Sequence, residues 1–139
     1  TFLEDEMILV VPARHPWARR RQVAAQELEH ADFLAREPGS GTGAIYEAAL
    51  AAHGVRLPPP LRMGHSRAIV ASVAAGAGVA IASALVARPF LDARRIVHVP
   101  IHGVEIRRAF SSIHRPGRTI SSLDRRLLRV LSARPRPRL

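Results

Sequence analysis

Apolar residues fall along this chain in short runs that alternate between two spacings, one suited to strands and the other to helices. Met7-Ile8-Leu9-Val10-Val11 is unbroken, so Glu6 to Val11 reads as a strand. A turn at His15-Pro16 precedes a short helix over Ala24 to Glu29, and Asp32 to Arg36 reads as a second strand. Thr42 to His53 has helical spacing and is stopped by Gly54. Pro58-Pro59-Pro60 then forms an extended connection into a strand at Leu61-Arg62-Met63. A helix from Ala68 to Ala75 ends at Gly76, and Val79 to Ser83 suits a buried strand. A helical turn over Ala84 to Leu91, with Pro89 near its end, leads to strands at Ile96 to Val99 and Glu105 to Ile113. Pro116-Gly117 turns the chain, and Ser121 or Ser122 caps a last helix through Leu131. Strands alternating with helices predict an α/β fold, with a mostly parallel sheet flanked by helices. No repeat or internal boundary interrupts the pattern.

Two strand–turn–helix units carry the candidate chemistry. In the first, Arg36-Glu37-Pro38-Gly39-Ser40-Gly41-Thr42 leads from strand to helix; in the second, Gly64-His65-Ser66 does the same. The first N–H groups of a helix lack internal partners, and the helix dipole places partial positive charge there. Gly39 and Gly41 allow close approach to that backbone, and the Ser40 and Thr42 hydroxyls add donors, so the turn can seat a small anion. The plainer alternative is an N-cap that only starts the helix. Ligands of open α/β sheets bind beyond the carboxyl ends of strands, where both turns are expected to lie. His65 reads equally as a solvated turn residue, and Phe110 either as core or as a residue facing the cleft.

Composition narrows the classes of function. A chain of 139 residues, 47% of them hydrophobic, suffices for one core, and the absence of cysteine excludes disulfides and thiol chemistry. The net charge of +10 invites a nucleic-acid partner. Yet every basic residue is Arg, Lys and Asn are absent, and the Arg pairs and triplets are dispersed and not interleaved with aromatic residues. That pattern points to a residue-usage bias. Arg134-Pro135-Arg136-Pro137-Arg138 is expected to be a disordered basic tail. The uncharged stretch from Ala68 to Ala87 has the length of a membrane span. Its alanines, Gly76, Gly78, Ser72 and Ser83 argue for a helix handing over to a buried strand, so no membrane partner is expected.

Catalysis finds no constellation. Gly39-Ser40-Gly41 is not a nucleophile elbow, because its outer glycines would fall at Pro38 and Thr42. Glu37, beside the first turn, is a candidate base, with nothing pairing with it in sequence. His98 and His102, four apart on one strand face, lack a third ligand and have Pro100 between them. No catalytic residue, metal or cofactor is expected.

Several motifs in order resemble the effector-binding domain of LysR-type transcriptional regulators. They are the Glu/Asp-rich lead into an apolar strand ending Val11-Pro12, then His15-Pro16-Trp17-Ala18, then Arg36 to Thr42 opening a helix. Gly64 and Ser66 open the next helix, and Ala75-Gly76-Ala77-Gly78-Val79-Ala80-Ile81 closes the set, so the likeness runs from about Leu3 to Leu131. The resemblance implies a periplasmic-binding-protein-like architecture of two α/β subdomains with an effector cleft between them. Residues 12–104 would form the second subdomain, 1–11 and 105–132 the crossover strands and terminal helix, and 133–139 the tail. It implies a small-molecule, anionic effector lined on this side by Glu37, Pro38, Gly39, Ser40, Thr42, Gly64, His65 and Ser66. It further implies a cytoplasmic homo-oligomer that pairs through the helix matching Ala44 to His53. DNA would be bound only through a winged helix-turn-helix absent from this chain. A solute-binding protein for transport is the alternative, since it shares the two-lobed architecture. The first strand and last helix would pack on the missing subdomain, so the isolated chain is expected to self-associate.

Overall fold

A computed structural model describes residues 1–113, 117 and 119–133. Its elements in order are β1 (Leu3–Pro12), β2 (Leu34–Arg36), α1 (Gly41–Ala51), β3 (Leu61–Met63), α2 (Ser66–Ala74), β4 (Ala80–Ser83), α3 (Ala84–Asp92), β5 (Ile96–His98), β6 (Ile106–Phe110) and α4 (Ser122–Ser132). Short 3-10 turns at Pro16–Arg19 and Ala25–His30 link β1 to β2. The expected basic tail and Pro116 lie outside the described residues.

The unbroken apolar run of β1 reflects burial on both faces, since successive side chains point to opposite sides of a strand. Met7, Leu9 and Val11 enter one cluster with Phe33, Tyr46, Leu50 and Ile81. Ile8 and Val10 enter the other with Ile69, Val70, Val73, Ala82 and Ala87. The result is three layers: α1 on one face of the sheet, α2 and α3 on the other.

The α/β class holds, while the expected mostly parallel pairing needs correction. β2 and β3 are parallel, and a parallel bridge between Phe33 and Val79 joins them to β4. β1, however, runs antiparallel to β4, β5 and β6. One edge of β1 meets β4 over Met7 to Val10. The other edge meets β6 over Leu3 to Met7 and β5 over Val10 to Pro12. Beyond Met7 towards the N-terminus, β1 and β6 form a two-stranded ribbon. Between Met7 and Val10 β1 has strands along both edges, so this apolar run finds strand partners within the chain rather than on a missing subdomain.

The last helix is capped by Ser121 and Asp124, each accepting the other's backbone N–H. It buries no residue among those described, and Leu123, Leu127 and Val130 are 73%, 56% and 61% exposed. These positions, four and three apart, share one helix face.

Candidate functional site

Because β2 and β3 are parallel, Arg36 and Met63 finish at the same edge of the sheet. Both following helices therefore begin there. Gly39 adopts φ +84°, which an L side chain tolerates poorly, and this bends the chain so that the Ser40 N–H donates to the Glu37 carbonyl at 3.2 Å. Ser40 is the N-cap of α1, its Oγ accepting the Gly43 N–H at 3.4 Å. His65 is the N-cap of α2, and Ser66 its first residue.

Arg36 binds the two helix starts together. Its backbone N–H donates to the buried Tyr46 hydroxyl at 3.2 Å, and its Nη1 donates to Ser66 Oγ at 2.8 Å. Its Nε and Nη2 hold the Glu37 carboxylate at 2.7 and 2.8 Å. Thr42 Oγ1 accepts from Arg108 Nη1 at 2.9 Å, bringing β6 to the first turn of α1. Arg108 in turn donates from Nε to Asp5 Oδ2 at 2.8 Å, with Nη2 also 2.8 Å from that oxygen. Three hydroxyls, on Ser40, Thr42 and Ser66, thus each accept an N–H from their own chain. A hydroxyl carries one hydrogen, so each keeps it to donate. Both guanidiniums are already paired, Arg36 with Glu37 and Arg108 with Asp5, so what suits this edge to negative charge is the hydroxyl donors and the two helix N-termini.

The remaining expected site residues play smaller parts. Pro38 and Gly39 are exposed in the bend, and Gly64 is exposed before α2 with open space where a Cβ would be. His65 is exposed and its ring caps nothing, as a solvated turn residue would be. Glu37 has a partner after all in its own neighbour. The hydrogen bonds from Arg36, then that from its own backbone N–H, hold its carboxyl at about 2, which leaves a weak base near neutrality. A depressed carboxyl stabilises its pair above the ordinary Glu range and loses that contribution as pH falls through about 2. A carbon-detected titration is expected to place Glu37 there, with Ser66 signals moving in the same step. A midpoint near the reference 4.5 would show the pair open.

Asp5 and Arg108 escaped the sequence reading. The signal was present as Glu4-Asp5-Glu6 in one strand and Arg107-Arg108 in another. The register pairs Asp5 with Arg108 and Glu6 with Arg107. Phe110 belongs to neither apolar cluster; its half-buried ring lies against the Arg108 guanidinium, 4.8 Å from centroid to Cζ. His98 and His102 do not share a strand, because β5 ends at His98. Burial lowers the His98 pKa, partly opposed by Glu6. Among the described residues no group of His, Cys, Asp or Glu is arranged to hold a metal, and no helix is long and apolar enough to cross a membrane.

A family model described as the LysR substrate binding domain matches residues 1–136. The HTH-type transcriptional regulator CysL of Bacillus subtilis (strain 168) is 30% identical over 115 residues, covering 83% of this chain and 38% of CysL. This chain thus spans well under half the length of that relative. The regulatory domain of CcmR from Synechocystis PCC6803, solved in complex with 2-PG, superposes with a TM-score of 0.75 at 21% identity, covering 95% of this chain and 64% of that one. The effector binding domain of QuiR, in complex with shikimate, gives 0.70 at 14% identity, covering 94% and 61%.

Proposed function

This chain belongs to the LysR substrate-binding domain family, and we propose that it forms one side of an effector cleft in a transcriptional regulator, sensing a small anionic ligand. The observation that carries this reading is the trio of hydroxyls on Ser40, Thr42 and Ser66, each with its acceptor role taken by an N–H of the chain. CcmR is described with 2-PG and QuiR with shikimate, a carboxylate, which fits an anion-seeking edge. In this reading residues 12–104 form the second subdomain. Residues 1–11 and 105–132 cross to a first subdomain outside the chain, and DNA is met in the cytoplasm through a further domain. Effector held between the subdomains shifts their relative populations, and with them the DNA-binding state. The family match and the regulator relatives support this reading over a solute-binding protein for transport.

The test is an amide-resolved titration of the chain with shikimate and, separately, inorganic phosphate. Residues 41–43 and 66–67 are expected to respond. Ser40→Ala with Thr42→Ala is expected to weaken binding by about tenfold or more, since hydrogen bonds to charged groups exceed those between neutral ones. Silence at these amides with both probes, or equal binding by the double variant, removes the turn from the site.

Homo-oligomerisation belongs to the same reading. The exposed apolar face of α4 is expected to drive self-association of the isolated chain, because contiguous apolar surface is rare on monomers. Sedimentation at micromolar concentration should show a dimer or larger species that Leu123→Glu with Leu127→Glu returns to monomer. A clean wild-type monomer would oppose it.

A further inference from the structure

The geometry points to Arg108 as a positioning residue of the anion site, one that sets the Thr42 hydroxyl as a donor and ties it to the β1–β6 ribbon. The inference rests on reading the turn as an anion site, and it names how that site is held. Arginine has donors only, so where Nη1 meets Thr42 Oγ1 at 2.9 Å the hydroxyl must accept, and its hydrogen is directed elsewhere. The guanidinium is in turn fixed from three sides. Asp5 lies directly opposite in the ladder, its side chain fully buried, and takes both Nε and Nη2 on one oxygen. The Phe110 ring covers the guanidinium, and α1 supplies Thr42. Asp5 Oδ1 is buried with no hydrogen-bond partner among the described residues, so Arg108 is the group that compensates this carboxylate. Because Asp5 and Arg108 belong to the ribbon, a ligand on Thr42 stands one hydrogen bond from the strands that leave the sheet. A guanidinium held this rigidly turns the hydroxyl hydrogen away from itself before ligand arrives, and preorganisation of that kind raises affinity without adding a contact.

The experiment is the titration with shikimate and inorganic phosphate, applied to wild type, Arg108→Lys, Thr42→Val and the pair combined. Lysine keeps a positive charge beside Asp5 but lacks the fork that spans Asp5 and Thr42 at once. In wild type, amides of Arg107 to Phe110 are expected to respond together with those of residues 41–43. Arg108→Lys should weaken binding by about fivefold and silence the β6 response. In the Thr42→Val background it should change binding by less than about twofold, because the hydroxyl it orients is gone. If Arg108 served only to neutralise Asp5, its effect would be equal in both backgrounds, and that result overturns the proposal. Binding by Arg108→Lys equal to wild type with β6 still responding also overturns it, while leaving the anion site intact. A wild type silent to both probes rejects the anion site and this inference together. Should Arg108→Lys not fold, Asp5→Asn with Arg108→Met removes both charges and the donor to Thr42, and the same loss is expected.

Discussion

Gly78→Ala is expected to destabilise the chain by about 3 kcal/mol or more, or to prevent folding. Gly78 adopts φ +146°, a backbone region that L side chains rarely enter. A Cβ there would overlap the carbonyl oxygen of Asp32 and lie 3.1 Å from its carbon. That carbonyl cannot retreat, because it accepts the Val79 N–H at 2.8 Å while Val79 accepts from Leu34 at 2.8 Å. These two bonds are the parallel bridge that joins β2 and β3 to β4. The strain therefore falls on the seam carrying the candidate site, and no flexible side chain is there to absorb it. Denaturant unfolding measures the effect as a lowered midpoint at unchanged slope. A shift worth less than about 1 kcal/mol would show that the seam can open cheaply.

Arg108→Ala should be the second large effect, lowering stability by about 3 kcal/mol. The Asp5 side chain is fully buried, whereas that of Arg108 is 17% exposed, which places the expected loss at the lower end of the range for broken buried pairs. Removing the guanidinium leaves a carboxylate out of water with one oxygen already lacking a hydrogen-bond partner among the described residues. Asp5→Asn in the Arg108→Ala background should recover part of the loss, because the uncompensated charge is then gone. A single variant as stable as wild type, or a double variant no better than the single, would show that water reaches Asp5 once Arg108 is cut back.

Much of the fold was legible because it is written in local periodicity and punctuation. The run Met7 to Val11, the helix stops at Gly54 and Gly76, and the Ser40 and Ser121 caps act over a few residues. The structure puts φ +74° and +90° at those glycines and cap bonds on both serines. The two turns were legible for the same reason: a strand followed by Gly, Ser and Thr opens a helix whatever lies around it. Their arrival at one edge followed once β2 and β3 were parallel.

Pairing and charge compensation were decided only in three dimensions. The antiparallel course of β1 follows from β4, β5 and β6 meeting it from distant parts of the chain, and periodicity carries no strand direction. Glu37 found its partner in the adjacent Arg36, a contact set by side-chain rotamers. Arg108 reaches Thr42 across 66 positions and Asp5 across 103. An Arg in a strand reads in sequence as a solvated charge. It becomes the counter-ion of a buried carboxylate only when the ladder sets Asp5 opposite it and Thr42 of α1 meets the guanidinium, because burial makes an unpaired charge costly and so selects the partner.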